Sequence, residues 1–247
     1  MKNRFRLIMG KNCISEVLRS NPERIVEFYT SAIDEKDPLI TLLRSHKVPI
    51  VLKQKEQLSK IVSSDSHQSA VAAIKEKHSV DIKSFLKEAE EKSSSLVLMV
   101  DSIFDPQNLG AILRSAECFG ADLVIFSKNR GADLTPVASK ASVGASELLD
   151  IVKVSNLADT LKKFQDAGYW SVCADGGEGA ESLETFSFPE KTLLIVGSEG
   201  VGVQPLIKKN TDFRVKIPMK GNIDCLNVSQ ATSVMLYAYS SRTTVST

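Results

Sequence analysis

Short apolar runs that recur through residues 96–217 constrain the fold of this chain more than any other feature of its sequence. Each run has the length of a buried strand, and most are separated by helical patterns. Parallel strands covered by helices on both faces look continuously apolar in this way. The pattern therefore predicts an open, mostly parallel α/β sheet. Its predicted strands are Leu96–Val100, Leu123–Phe126, Ile151–Val154, Trp170–Ala174, Thr192–Val196 and Phe213–Ile217. Between two of them, a helix is predicted from Asn156 to Ala167, closed by Gly168.

The first third of the chain predicts a separate, smaller α/β unit. Its predicted helices are Cys13–Arg19, Leu39–Ser45 and Glu56–Val62, and its predicted strands are Arg24–Tyr29, Val48–Leu52 and Ala70–Ile74. A charged stretch that ends in three serines follows and is typical of a linker. We therefore predict an N-terminal domain of residues 1–76, a linker of residues 77–95 and a C-terminal domain of residues 96–247.

The composition excludes several classes of protein. The apolar stretches are far shorter than the ~20 residues of a membrane span, and the basic N-terminus leads into no apolar segment, so we expect a cytoplasmic protein without a membrane partner. The four cysteines are widely spaced and the three histidines lie before residue 80, which predicts neither a metal site nor a disulfide framework. Residues 1–80 carry 14 Lys and Arg against 9 Asp and Glu. That excess suits contact with RNA, although it is also ordinary for a small soluble domain.

Three segments lie at or beyond the ends of predicted strands, where open α/β sheets bind ligands. The first, residues 101–120, predicts a helix that begins at a capping Asn108 and closes on Gly120. Arg114 lies opposite the apolar stripe of this helix. It is either simply solvated or part of a site. Residues 81–247 contain no histidine that would act as a base in its place.

The second segment, residues 193–202, is an apolar strand that ends in three glycines with Glu199 between them. It matches neither a dinucleotide fingerprint nor a P-loop. A tight turn without a ligand explains the glycines but not Glu199. The third segment, residues 213–239, passes from a strand through a polar loop into a helix that Asn227 or Asp224 caps. Because apolar residues surround this last helix, it is either a core helix or packs against another subunit.

In order, these segments resemble the three signature motifs of the SpoU/TrmH family of RNA 2′-O-methyltransferases. The motifs read N-L-G-A-I-L-R-S-A at 108–116, V-G-S-E-G-V-G at 196–202 and I-P-M-K-G-N-I-D-C-L-N-V-S at 217–229. Residues 128–145 and the run H-Q-S-A-V-A from His67 are similar to the members that methylate a guanosine of bacterial 23S rRNA. The resemblance spans nearly the whole chain.

The resemblance implies a deep trefoil knot in the C-terminal domain, which is an exception to the rule that chains do not thread loops. It also implies a small N-terminal domain that resembles the ribosomal L30e-like fold and binds RNA, and a homodimer formed through the knotted domain. S-adenosylmethionine is the implied cofactor, and no metal is needed. The residues that the resemblance assigns to the cofactor are Gly197, Ile217, Met219, Leu226 and Ser229.

For catalysis, the resemblance implies that Arg114 helps to remove the 2′-hydroxyl proton. Because an arginine is a poor base, we expect it to orient and charge-stabilise the oxygen. The other residues assigned to catalysis are Asn108, Glu199 and Asn227. Those assigned to RNA contact are Arg114, Cys225, Arg130 and Lys140.

Two positions depart from the family pattern. Cys225 stands where the motif more often has serine, and Ser69 stands where close relatives usually have glycine. Three alternatives stay open beside a 23S rRNA guanosine methyltransferase. They are a 2′-O-methyltransferase of tRNA or another rRNA site, a catalytically silent RNA-binding relative, and a related knotted enzyme that methylates a base.

Overall fold

The computed structural model describes residues 5–77, 79–198 and 200–243, and these residues form two compact units. One unit comprises the described residues up to Lys77 together with residues 133–148. The other comprises residues 79–132 and the described residues from 149 onwards. The chain therefore leaves the second unit after residue 132 and returns to it at residue 149. The domain bounds drawn from composition do not anticipate this exchange and stay a prediction.

The elements are numbered in chain order. The strands are β1 (Phe5–Met9), β2 (Ile25–Thr30), β3 (Ile50–Leu52), β4 (Val71–Lys75), β5 (Ser95–Val100), β6 (Leu123–Ser127), β7 (Ile151–Val154), β8 (Trp170–Ala174), β9 (Glu181–Ser182), β10 (Lys191–Val196) and β11 (Phe213–Lys216). The helices are α1 (Lys11–Ser20), α2 (Pro38–Ser45), α3 (Lys55–Val62), α4 (Ile82–Glu90), α5 (Pro106–Cys118), α6 (Pro136–Ala141), α7 (Ala145–Leu148), α8 (Leu157–Asp166), α9 (Pro205–Asn210) and α10 (Val228–Thr243).

The first unit contains a four-stranded mixed sheet in the order β1-β4-β2-β3. β4 runs antiparallel to both β1 and β2, whereas β2 and β3 are parallel. The three helices and three strands predicted for the first third of the chain are present, with ends shifted by a few residues. β1 was not predicted. It is an edge strand that begins with an exposed Phe5 and the basic Arg6, and only three apolar residues, Leu7–Met9, follow before Gly10.

A buried ion cluster fixes residues 133–148 within the first unit. Glu147, at 4% exposure, accepts a hydrogen bond from Nη2 of Arg24 over 2.8 Å and is also bonded to Arg6 on β1. Arg24 itself is 7% exposed. Buried charges persist only when they are paired. The pairing explains how a segment with few large apolar side chains stays attached to this sheet.

The second unit contains a seven-stranded sheet in the order β7-β6-β5-β10-β8-β11-β9. Every pair in it is parallel, which confirms the predicted open α/β sheet. The six predicted strands are present to within one residue at each end, and only the two-residue β9 was not predicted. The trefoil knot that the family resemblance implies stays a prediction.

Two helix ends were predicted correctly and one start was wrong. Asn156 caps α8, and Gly168 and Gly120 follow α8 and α5 with φ of 86° and 72°. However, α5 begins at Pro106 and not at Asn108, because the Asp105 carboxylate accepts from the Gln107 amide and proline is well suited to the first helical position.

Two other helices bear on predictions made from the sequence, namely the linker and the cap of the last helix. α4 lies in the stretch predicted as a linker, yet its Phe85 and Ala89 are buried in the core of the second unit. Asn227 caps α10, since its Oδ1 accepts from the Ser229 amide over 2.9 Å, whereas Asp224 is exposed. Among the described residues, no helix combines the length and the apolar character needed to cross a membrane.

Candidate active site

A cavity of about 230 Å³ lies where the chain leaves the carboxyl end of β5. It is lined by Ser102, Ile103, Phe104, Asp105, Asn108, Ser198 and Val228. These residues come from the loop after β5, the first turn of α5, the loop after β10 and the start of α10. Three segments that are distant in sequence therefore meet at one edge of the parallel sheet, the edge where such sheets bind ligands.

Asp101 supports this cavity from beneath and was not singled out in the sequence. Its carboxylate is fully buried and accepts from Ser102 Oγ over 2.8 Å, from Gln204 N over 2.8 Å and from Gln204 Nε2 over 2.6 Å. It thereby ties the loop after β5 to the loop after β10. Ser102 has a φ of 59°, a left-handed conformation that a non-glycine residue adopts only when its surroundings enforce it. The available signal was a carboxylate directly after a buried strand.

Asn108 and Asn227 meet although 119 residues separate them. The Nδ2 of Asn227 donates to Oδ1 of Asn108 over 3.0 Å. The Oδ1 of Asn227 accepts from both the amide and the hydroxyl of Ser229, over 2.9 and 2.6 Å. Lower on the same two helices, Ser115 Oγ and Ser233 Oγ are 2.7 Å apart. The packing of α10 on α5 therefore brings together polar groups from the first and third sequence motifs.

Gly197 follows β10 in very close contact with the main chain of the next turn. A Cβ at this position would lie 2.2 Å from the carbonyl carbon of Gly202 and from the nitrogen of Val203. Ser198 and Gly202 exchange two main-chain hydrogen bonds, and Gly202 has a φ of 72°. These glycines are therefore required by the turn itself. Glu199, assigned to catalysis from the sequence, lies outside the described residues.

Arg114 lies on the exposed face of α5. It lies six positions after Asn108 in the helix, a rise of roughly 9 Å. It makes no hydrogen bond or ion pair with any other residue that the structure describes. The side chain is therefore free to take a substrate contact, but no bond within the described chain directs it toward the Asn108–Asn227 pair.

The remaining residues assigned to the cofactor lie around the third motif. Ile217 and Met219 follow β11 and are half-buried, as is Leu226 just before α10. In the sheet order only β8 separates β11 from β10, so the chain ends that carry Ile217 and Gly197 lie near the same edge. Cys225 is exposed.

Besides Arg114, the two other basic residues assigned to RNA belong to different units. Arg130, in the second unit, is exposed and donates from Nη1 to Oε1 of Gln204 over 2.7 Å. Lys140, in the first unit, is half-buried and donates from Nζ to the Ser66 carbonyl over 2.5 Å.

Among the described residues there is no cluster of three or more His, Cys, Asp or Glu side chains arranged to bind a metal.

The chain matches two families of known proteins. Residues 95–237 match the SpoU rRNA Methylase family, and residues 7–80 match the family described as RNA 2'-O ribose methyltransferase substrate binding. It is 33% identical over 234 residues to the 23S rRNA (guanosine-2'-O-)-methyltransferase RlmB of Photobacterium profundum, covering 94% of this chain and 95% of that protein. The enzyme of the same name from Pseudomonas putida is 35% identical over 235 residues, covering 93% and 94%.

Solved structures share the fold at lower identity. The SpoU methyltransferase AviRb from Streptomyces viridochromogenes, solved with AdoMet, superposes with a TM-score of 0.78 at 23% identity and covers 98% of this chain and 91% of its own. An AdoMet-bound rRNA methyltransferase from Sinorhizobium meliloti gives 0.75 at 20% identity, covering 96% and 87%. Because the family match covers more than half of the chain and relatives one-third identical cover nearly all of it, this chain belongs to the SpoU rRNA methylase family.

Proposed function

We propose that this chain transfers a methyl group from S-adenosylmethionine to a ribose 2′-hydroxyl in RNA, and that its target is a guanosine in the peptidyl-transferase loop of 23S rRNA. The observation that carries the proposal is the hydrogen bond between Asn227 and Asn108, which unites the first and third family motifs beside a cavity. The relatives named 23S rRNA (guanosine-2'-O-)-methyltransferase support the choice of substrate.

The second unit has features that fit S-adenosylmethionine. Gly197 cannot be replaced by a residue with a side chain, because a Cβ there would overlap the main chain of Gly202 and Val203. This close-packed turn stands at the carboxyl edge of the parallel sheet, where such sheets bind ligands. We assign Gly197, Ile217 and Leu226 to main-chain contacts with this cofactor, with Met219 and Ser229 beside them. When bound, the cofactor supplies a methyl group on a positively charged sulfur.

The other half of the reaction is the activation of a weakly acidic hydroxyl group. A ribose hydroxyl must lose its proton as it attacks, so it needs positioning and charge stabilisation. A guanidinium is always protonated in proteins and therefore donates hydrogen bonds instead of accepting a proton. We assign Arg114 to hold the 2′-oxygen and stabilise its developing charge, with a substrate phosphate as the proton acceptor. Asn108, Asn227 and Glu199 shape the surrounding site.

RNA binding is assigned to both units. The first unit matches a substrate-binding family and holds the net positive part of the sequence, so we assign it, with Lys140, to hold RNA outside the target nucleotide. Arg130 and Cys225 complete the proposed RNA contacts. We expect the enzyme to act in the cytoplasm, where ribosomal RNA is assembled, and without a metal ion.

We also propose a homodimer formed through α10. Val234 and Tyr237 are 38% and 61% exposed on this helix, whereas Met235 and Leu236 are fully buried. The ring of Tyr237 meets that of Phe119 edge-on, with centroids 6.1 Å apart, which extends the apolar surface onto the end of α5. A second copy of the chain would cover it. Light scattering should find a dimer, and Tyr237→Glu should convert it to a monomer.

Methyl transfer tests the proposed function directly. The purified chain is incubated with labelled S-adenosylmethionine and unmodified 23S rRNA, and the product is digested to nucleosides for mass spectrometry. We expect 2′-O-methylguanosine, and mapping of the modified position locates it. Arg114→Ala should lower kcat at least a hundredfold with an unchanged melting temperature, because the side chain is exposed and makes no bond to the described chain.

The same experiment separates the alternatives. Tight RNA binding without detectable S-adenosylmethionine binding would identify a catalytically silent relative, which the unusual Cys225 would explain. Methylation on a base would identify a base-modifying enzyme. If only tRNA or another rRNA site is modified, the proposed reaction stands and the proposed substrate is wrong. An Arg114→Ala variant as active as the wild type would overturn the assigned mechanism.

A further inference from the structure

A second cavity, of about 260 Å³, opens at the carboxyl ends of β6 and β7. At a liquid volume of ~30 Å³ per water molecule, it has room for a phosphate group and an attached sugar. Its walls are both polar and apolar. They are formed by Ser127, Asn129, Arg130, Ser155, Asn156, Leu157, Ala158, Gln204, Leu206 and Ile207.

Among the residues that line this cavity, Arg130 is the one cationic side chain, and a hydrogen-bond network holds it in place. Arg130 donates from Nη1 to Oε1 of Gln204 over 2.7 Å, and Gln204 donates from Nε2 to the fully buried Asp101 over 2.6 Å. The main-chain amide of Gln204 is bound to the same carboxylate over 2.8 Å. The orientation of the Gln204 amide group is thereby fixed, and its oxygen can only face Arg130. A long arginine side chain on an exposed loop normally loses rotamer entropy when it binds a ligand. The hydrogen bond to Gln204 reduces that loss because it restricts Arg130 beforehand.

The network leaves Arg130 available for a ligand. Within the described chain, Gln204 is the one side-chain partner of this guanidinium, so most of its five N–H donors face solvent or the cavity. The positive character of the wall comes from Arg130, because the first amides of α8 are already occupied by Oδ1 of Asn156. A guanidinium with several free donors matches the geometry of a phosphate.

The position of the cavity relates it to the proposed reaction. In the sheet order, β5 carries the Asn108 cavity, β10 and β11 carry the proposed cofactor residues on one side, and β6 and β7 lie on the other side. Neighbouring strands are ~4.8 Å apart, so the Arg130 cavity lies one or two strands from the end of β5. That distance is of the order of one nucleotide step. The Arg130 cavity lies on the side of β5 that is away from the proposed cofactor residues.

We infer that the Arg130 cavity is a phosphate subsite for the RNA strand next to the target nucleotide, and that Gln204 and Asp101 act as positioning residues for Arg130. The inference rests on the proposed function and extends it. The target ribose enters the Asn108 cavity, and an adjacent phosphate binds Arg130. The exposed Leu206 at the cavity provides an apolar surface for the attached sugar.

Steady-state methyl transfer at several salt concentrations tests this inference with an RNA transcript of the peptidyl-transferase loop. Arg130→Ala should raise the KM for RNA about tenfold, leave kcat within about twofold, and reduce the slope of log KM against log salt by about one. Arg130→Lys should restore the salt slope but only part of the KM. Gln204→Ala keeps both the charge and the main-chain bond to Asp101, so it should raise KM about threefold with an unchanged salt slope.

Lys128→Ala is the matched control, since it removes an exposed positive charge two residues from Arg130 but outside the cavity wall. All variants should keep the wild-type melting temperature and S-adenosylmethionine affinity. The inference is overturned if Arg130→Ala and Lys128→Ala change KM and salt slope equally, or if Arg130→Ala lowers kcat and not KM. If the wild-type chain methylates no RNA, the proposed function fails instead, and direct RNA binding by the same variants decides whether the subsite exists.

Discussion

The side-chain amide of Asn227 donates to Oδ1 of Asn108 across 3.0 Å and thereby joins the cap of α10 to the first turn of α5. The Oδ1 of Asn227 is already occupied by the amide and hydroxyl of Ser229. Asn227 can therefore not rotate its amide by half a turn without losing three hydrogen bonds. The orientation of its donor toward Asn108 is built into the start of α10.

This pair predicts energetic coupling in catalysis. Asn108→Ala and Asn227→Ala should each lower kcat, and the double variant should lose less than the product of the two effects, with a coupling of roughly 0.5–3 kcal/mol. Asn227→Asp is the informative control. Its carboxylate still caps α10 but cannot donate to Asn108, so activity should fall about tenfold while the melting temperature stays constant. Strictly multiplicative losses in a double-mutant cycle would contradict the coupling.

The main-chain contact at Gly197 predicts a specific intolerance of any side chain. Gly197→Ala places a Cβ 2.2 Å from main-chain atoms that cannot move aside, so it should destabilise the second unit by roughly 1–3 kcal/mol or more and abolish S-adenosylmethionine binding. Gly176→Ala is the matched control, because a Cβ at that position meets no atom within 4 Å. Thermal unfolding and calorimetric titration with the cofactor measure both effects. Equal behaviour of the two variants would refute the prediction.

The cysteines predict a pattern of chemical reactivity. Cys118 and Cys225 are exposed, whereas Cys13 and Cys173 are buried. Burial, reinforced by the charge of Asp175, raises the pKa of Cys173 to about 12, and burial also raises the pKa of Cys13 well above its usual range. The thiolate is the reactive form, so both buried thiols should resist iodoacetamide at pH 8 until the chain is unfolded. Peptide mass spectrometry reads out each site separately.

The same reaction examines the proposed cofactor site. Cys225 precedes Leu226, which we assign to the cofactor, so saturating S-adenosylmethionine should slow the alkylation of Cys225. Cys118 lies at the end of α5 and serves as the internal reference, with a rate that the cofactor leaves unchanged. Equal protection of both cysteines would point to a general change in accessibility, and protection of neither would place the cofactor elsewhere.

The buried ion cluster of the first unit predicts a large loss of stability. Glu147→Gln leaves Arg24 and Arg6 without their carboxylate in a buried environment, which typically costs about 3–5 kcal/mol. The comparison variant is Glu16→Gln, which removes a solvent-exposed pair with Arg19 and should cost less than about 1 kcal/mol. Urea unfolding followed by circular dichroism compares the two. Similar midpoints would show that the buried cluster contributes no more than an exposed pair.

Much of the fold was predictable because its strands are buried on both faces. A strand such as β5 or β10 is buried along almost its whole length, and both were predicted to within one residue of their observed ends. α8 was equally clear, since Asn156 and Gly168 mark its two ends by their own side-chain and backbone preferences. The strand β1 was missed because it begins with the exposed Phe5 and the basic Arg6, and only three apolar residues, Leu7–Met9, follow them.

The start of α5 illustrates a local competition that the sequence left undecided. Asp105 and Asn108 are both good capping residues. Asp105 prevails because Pro106 occupies the first helical position, which releases Asn108 from capping and leaves its side chain to meet Asn227. The wrong helix start and the site geometry thus have one cause.

The sequence by itself determined the family, the parallel sheet and the residue types of the site. Strand burial, turn glycines and motif order each leave a local pattern in the linear sequence. The tertiary structure alone decided which of those residues touch. It brought Asn227 to Asn108, connected Asp101 through Gln204 to Arg130, and grouped residues 133–148 with the first unit around Glu147. Such contacts depend on how separate elements pack, and hydrogen bonds between residues about 100 positions apart leave no periodic signal in the sequence.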